Sequence, residues 1–248
     1  MPGIYSLLAK LVEENEPAAL ATVVAGERIG TKMLVSGEGI LAGGINPEID
    51  SRIAQDALEM LAQEKSETRT YSVGDEQFEI FVETFPPPQR LIIIGAVHVA
   101  IPLHRLAKML GYYVTVVDAR GVLATEERFP MADNILVEWP DDAMAALGLN
   151  SSTSVVVLTH DPKFDYPALM MAMGSDVRYI GAIGSKTTNK QRADALRDLG
   201  AGDEQIARIH APVGLDIGSK TPAEIALAIM GEIVASRRGR PGGYLSRR

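Results

Sequence analysis

The sequence predicts an α/β protein: a C-terminal parallel sheet with helices on both faces, preceded by a smaller α+β domain. Three observations carry this. From residue 90 onward, short continuous Val/Ile runs alternate with helical stretches, as strands buried on both faces require. Upstream, "TRTYSVGDEQFEIFVETF" alternates apolar and polar residues on either side of a "GDE" turn, which is a hairpin pattern. Between the two parts, "FPPPQR" (85–90) sets three consecutive prolines, which continue neither helix nor strand and make a stiff extended linker. The domains are therefore placed at 1–88 and 89–248.

In the first part, residues 3–14 read as a short helix. "AALATVV" (18–24) and "TKMLVSG" (31–37) read as strands around an "AGER" turn, and "GILAGGI" (39–45) as a third. Residues 47–63 have helical spacing, with Ile49, Ile53, Ala57, Met60 and Leu61 on one face. In the second part, strands are expected at 90–95, 113–118, 135–139, 154–159 and 177–183. Helices are expected near 98–110, 141–147, 165–173, 187–199 and 222–237. Met170, Met171 and Met173 are expected in the core. Asp141 and Asp142 suit a helix start and need no further role.

Composition narrows the function. The 248 residues are 46% apolar, enough for a real core, and hold no apolar run of membrane-spanning length. "MPGIYSLLAK" lacks a charged start followed by a long apolar stretch, so no signal peptide is expected and a soluble cytoplasmic protein is. The absence of cysteine excludes disulfides, thiolate zinc sites, iron–sulfur clusters and a cysteine nucleophile. Histidines 98, 104, 160 and 210 include no i, i+4 pair, so no metal site is expected. No G-x-S-x-G elbow or other catalytic set stands out. The net charge of −8 argues against nucleic acid. It is uneven: residues 1–88 carry 6 basic and 15 acidic side chains, residues 89–248 carry 18 and 17. A small anion meets less repulsion on the second part. The tail "SRRGRPGGYLSRR" reads as disordered and solvated.

"RLIIIGAVHVA" (90–100) is a strand, a glycine turn and a helix start, the opening of a Rossmann-like fold. Of the G-x-G-x-x-G fingerprint it keeps only Gly95, with Val97 and Ala100 at the other two places. Such a turn brings free N–H groups of Ala96, Val97 and His98 toward a phosphate. Asp118 ends the second strand 23 residues later. It either meets a ribose hydroxyl or caps the following turn; the sequence leaves both open. Thr159, His160 and Asp161 follow the 154–159 strand at the edge where ligands bind in open α/β sheets. His160 is a proton carrier or ligand donor there, or packs on the loop; Asp161 belongs to the site or caps the next helix. "YIGAIGSKTTNKQR" (179–192) is a second phosphate cradle: Gly181 and Gly184 free the backbone, Ser185 or Thr187 caps, and Lys186 and Lys190 bring charge. Read blandly, it is an ordinary glycine turn before a capped basic helix. "HAPVGLDIGSK" forces an irregular loop, and "TPAE" after it is a capping box with proline at its first helical position.

Taken in order, "VVDAR", "ERFP", "LTHD", "YIGAIGSK", "GLDIGSKTPAEIA" and "GEIVASRRGR" resemble the XdhC/CoxI family, accessory proteins of xanthine dehydrogenase and related molybdenum hydroxylases. The resemblance spans nearly all of 90–240 and extends weakly into the first domain. It implies a carrier of molybdopterin, the molybdenum cofactor, that supports its sulfuration by a partner cysteine desulfurase and inserts it into the apo-enzyme. It implies a ligand site at Gly95, Ala96, Val97, His98, Asp118, Arg120, Thr159, His160, Asp161, Gly181, Gly184, Ser185 and Lys186. A homodimer is implied as well. The family usually reads G-x-G-H at the first turn, where this chain has Val97. Relatives commonly have a cysteine after the paired glycines, where this chain has Ile45 and Asn46. The alternatives are an NAD(P)-dependent oxidoreductase using the same crevice, and a ligand-free scaffold.

Overall fold

The protein is described by a computed structural model covering residues 3–247. Met1, Pro2 and Arg248, the ends of the N-terminal and tail segments read above, lie outside the described residues. The chain divides into two units, Met1–Pro87 and Pro88–Arg248.

In the first unit, α1 (Ile4–Glu13) precedes β1 (Ala18–Gly26), β2 (Lys32–Ser36), β3 (Gly39–Gly43), α2 (Asp50–Ala62), β4 (Glu67–Val73) and β5 (Glu76–Phe85). The strands form an antiparallel sheet in the order β3-β2-β1-β5-β4. The pleat sends successive side chains to opposite faces. Ala19, Ala21, Met33 and Ile80 join Ile53 and Met60 of α2 in one core. Ala18, Leu20 and Leu34 meet Leu8 of α1 in the other. The β4–β5 hairpin turns on two residues, because Val73 pairs with Glu76. Gly74 supplies a positive φ of 56° at the first of them.

The second unit carries β6 (Arg90–Ile94), α3 (Ala100–Met109), β7 (Tyr113–Val117), β8 (Asn134–Leu136), α4 (Pro140–Leu147), β9 (Thr153–Val157) and α5 (Pro162–Met173). There follow β10 (Tyr179–Ala182), α6 (Lys186–Asp198), α7 (Asp203–Ala207), β11 (Ile209–His210) and α8 (Pro222–Arg237). All six strands are parallel, in the order β11-β10-β9-β6-β7-β8. The Rossmann-like α/β architecture expected from the sequence is what the chain adopts. Its continuous apolar runs are explained by two faces. Leu91, Ile93, Val114 and Val156 pack with α3 and α8. Ile92, Ile94, Val155 and Val157 pack with α4, α5 and α6. Met173 is buried in that second core, with Met170 and Met171 half-buried against it.

Three details differ from the sequence reading. The strand expected at 135–139 stops at Leu136; it is an edge with β7 as its one neighbour, and Pro140 starts the next helix. β11 and α7 were not anticipated, since two and five residues are too short to show a period. Of the stretch read as a disordered tail, Ser236 and Arg237 belong to the helix expected at 222–237, and beyond it Gly242 lies close enough to Leu215 that a Cβ would stand 3.0 Å from it. Among the described residues no helix is long and apolar enough to cross a membrane.

Candidate functional site

The order of strands reverses beside β6: β7 lies on one side and β9 on the other. Loops leaving the carboxyl ends of β6 and β9 therefore diverge and leave a crevice, the usual ligand position in an open α/β sheet.

Gly95 makes the first turn. Its φ of +103° suits glycine, and a Cβ there would collide with the Thr159 methyl. The two loops touch at this point. Ala96 is buried, and its N–H donates to Asp118 Oδ2 at 2.8 Å. Val97 is half-buried against the α3/α8 core, and His98 is exposed. The N–H groups of Val97, His98 and Val99 find no protein acceptor among the described residues. They are the orphan donors of a helix start, with α3 behind them.

Asp118, only 3% exposed, is committed to the protein. Besides Ala96, it accepts from the Arg120 amide (3.0 Å), Arg120 Nε (2.8 Å) and Arg120 Nη2 (2.8 Å). Its geometry is that of the turn cap. Burial alone would raise this carboxyl, but the Arg120 side chain and amide with the Ala96 amide outweigh it and hold it below the usual range. Asp118 in turn keeps the Arg120 guanidinium more firmly charged, with a smaller pull from Asp161. Arg120 remains 43% exposed, and Nη1 is the edge that Asp118 leaves open. Its Cζ lies 5.6 Å from the Phe164 ring centroid, and Phe164 stacks on Trp139 at 4.9 Å and 23°.

Beyond β9, Thr159 is buried and donates to Asp165. His160 is exposed, and Asp161 accepts from the Lys163 N–H as the N-cap of α5. Beyond β10, Gly184 has φ +138°, Ser185 rather than Thr187 caps α6, and Lys186 is exposed. Gly181 is not part of that turn. It sits inside β10, paired with His210, and a Cβ would approach Val213 and the Tyr179 ring. Beside the Ser185 turn, a cavity of about 290 Å³ lies between α6 and the loop after β11, lined by Lys186, Lys190, Leu196, Ile209 and Pro212 among others.

Two side-chain networks, one buried and one half-buried, were not legible in the sequence. In the first, Arg192 Nη2 pairs with Asp165 Oδ2 at 2.8 Å, with side chains 5% and 3% exposed. Arg192 also donates to the Ile183 carbonyl (3.0 Å) and to Asn189 Oδ1, while Asn189 donates to the Gly184 carbonyl (3.1 Å). Through Thr159, this ties the turns after β9 and β10 together. In the second, Glu232 of α8 accepts from Tyr179 Oη (2.6 Å) and the Gly214 N–H (2.7 Å) and faces His210 Nδ1 (3.1 Å). It anchors the irregular 211–221 loop. Burial opposes the Glu232 charge, but these three partners win and lower its pKa. The one available signal was a lone carboxylate in the middle of an apolar helix.

A parallel sheet with a donor-lined crevice at its switch point defines a Rossmann-like protein suited to an anionic ligand. The family profile for the XdhC Rossmann domain matches residues 91–233, and that for the XdhC and CoxI family matches residues 11–72. The chain belongs to the XdhC/CoxI family. It is 30% identical over 164 residues to a probable xanthine dehydrogenase subunit of Bacillus subtilis (strain 168), covering 66% of this chain and 48% of that protein. It is 32% identical over 95 residues to the molybdenum cofactor insertion chaperone PaoD of Escherichia coli (strain K12), covering 38% and 30%. An uncharacterized protein of the same strain, YqeB, is 28% identical over 260 residues, covering 98% and 48%. The chain thus spans about half the length of YqeB and of the Bacillus subtilis protein, and less of PaoD. A Bacillus halodurans crystal structure described as a xanthine dehydrogenase shares the fold, with a TM-score of 0.56 at 21% identity over 95% of this chain and 96% of that one.

Proposed function

We propose that this chain binds the molybdenum cofactor and inserts it into a xanthine dehydrogenase-type molybdenum hydroxylase, acting as a carrier. The observation that carries the reading is the anion-suited switch-point crevice in a member of this family. The free amides at Val97 and His98, the open edge of Arg120 and the Ser185–Lys186 turn all suit the phosphate of a pterin cofactor. Names borne by relatives, a molybdenum cofactor insertion chaperone and a xanthine dehydrogenase subunit, support the same direction.

The cofactor would bring the molybdenum and its sulfur chemistry. The chain would bind, orient and shelter it. With no cysteine in the sequence, holding rests on phosphate and ring contacts rather than a thiolate on the metal. At the place where relatives commonly have that cysteine, the Ile45 and Asn46 amides both donate to Asp50, which starts α2. Exposed His98 and His160 flank the mouth as donors to the ligand. A cysteine desulfurase and a second copy of the chain are proposed as further partners on the family resemblance.

The test is protein purified from a host that makes the cofactor. Acid and iodine oxidation releases bound pterin for fluorescence, and mass spectrometry counts molybdenum. Pterin at a sizeable fraction of the protein is expected. Absence of pterin together with micromolar NAD(P) binding by calorimetry would overturn the reading in favour of an oxidoreductase.

A further inference from the structure

We propose that the crevice contains a nucleobase subsite: Trp139 is a stacking surface for the base of a nucleotide whose phosphate Arg120 holds. The bound cofactor would then be a nucleotide-bearing form rather than the plain pterin. The cofactor part rests on the preceding reading; the base-and-phosphate chemistry stands on its own geometry.

Trp139 is the one tryptophan in the chain, and it is 48% exposed. It occupies the N-cap of α4, where a side-chain acceptor such as Ser or Asp is favoured, and it makes no capping hydrogen bond. Pro140 behind it restricts its backbone to the extended conformation observed, φ −67° and ψ 144°. Stacking on Phe164, itself 9% exposed, fixes the indole against a buried ring. A large ring held still and left half-open binds another ring at little entropic cost.

Arg120 stands over the same phenyl ring. Asp118 grips it through Nε and Nη2, so its open edge is already aimed rather than floppy. An anion site and a stacking surface thus touch one shared side chain, Phe164. They project from the loops after β7, β8 and β9, at the carboxyl edge where the crevice lies. The adjoining guanidinium favours a base carrying phosphate over an apolar protein segment. Stacking is tolerant of base identity, so no single base is singled out.

The single tryptophan makes the test direct. Fluorescence of the full chain would be titrated with AMP, GMP and CMP, the matching nucleosides, ribose 5-phosphate and a phosphate-free pterin. Saturable quenching by the nucleotides is expected, about tenfold weaker for nucleosides. Ribose 5-phosphate should bind by calorimetry without quenching. Trp139→Leu should weaken nucleotide binding roughly ten- to hundred-fold by calorimetry, with Trp139→Phe recovering most of it. Arg120→Gln should weaken nucleotides but not nucleosides. No saturable quenching, an unchanged Kd in Trp139→Leu, or quenching by the pterin alone would overturn the subsite. So would quenching by an added apolar peptide but not by a nucleotide, which would mark a protein-docking surface. The two readings fail separately. Released pterin that yields no nucleoside monophosphate on phosphodiesterase digestion sinks the nucleotide-bearing form and leaves the carrier. Nucleotide quenching in protein that never copurifies with pterin keeps the subsite, assigns it to a free nucleotide, and sinks the carrier.

Discussion

Gly95 shows what a single residue can disclose and what it hides. Its place after an apolar strand marks the turn from sequence alone. That its missing Cβ leaves room for the Thr159 methyl depends on β9 lying next to β6, which no local pattern states. Gly95→Ala adds backbone strain to a collision and should cost about 2–4 kcal/mol in denaturant unfolding. Val97 stands where the fingerprint has its second glycine. Its side chain packs on the α3/α8 core, so Val97→Gly should lose about 1–2 kcal/mol before it opens any space for a ligand. A stability unchanged within about 0.5 kcal/mol would show that the valine is dispensable to packing. Asp118 and Glu232 set the acid behaviour. Both carboxyls are held lower in the folded chain than the usual range. Their stabilisation is therefore complete above the unfolded pKa of about 4 and is lost as pH falls through the lower folded values. Asp118→Asn and Glu232→Gln should each flatten the fall of stability with pH below about 4 in acid titrations of unfolding. A slope as steep as the parent's would remove these groups from the account.

Elements were legible where they are long and buried. β6, β7, β9 and α8 are apolar runs or a capped helix, and each signal agrees with its tertiary setting. β11 was invisible because its two residues pair only with β10, and β8 was overread because its last apolar residues leave the sheet. The brace between α5 and α6 was invisible for another reason: Asp165 and Arg192 are 27 residues apart, and each looks like an ordinary helix-surface charge in its own segment. Together they hold the Thr159 and Gly184 turns from behind, which makes them positioning residues for the crevice. Removing one partner strands a buried charge, so Arg192→Ala should cost about 3–5 kcal/mol. Replacing both with apolar residues, Asp165→Leu with Arg192→Met, should recover much of that stability. If the brace also sets the turns, the double variant folds yet quenches poorly with nucleotide. Recovery of both stability and affinity would make the pair a folding feature alone.

On the scale of the whole chain, the apolar cores keep to their own units. Every residue of the two sheet-face cores of the Rossmann-like part lies after Pro88, and every residue of the two in the antiparallel part lies before Pro86. The candidate site follows the same division: its turns, its cations, Trp139 and both side-chain networks belong to Pro88–Arg248. The charge follows it too: residues 1–88 carry a net charge of −9 and residues 89–248 a net charge of +1. A domain with its own core and its own hydrogen-bonded site needs no second one to form. Cutting the chain within the proline run should therefore give two fragments that each melt cooperatively, checked by calorimetry. The fragment from 88 onward should keep nucleotide quenching of Trp139 with a Kd within about threefold of the full chain's, a difference under roughly 0.7 kcal/mol. Loss of a cooperative melt in that fragment would mean that its stability depends on the first unit. A folded fragment that no longer quenches would mean instead that the antiparallel unit completes the site, and the search for ligand contacts would move to residues 1–87.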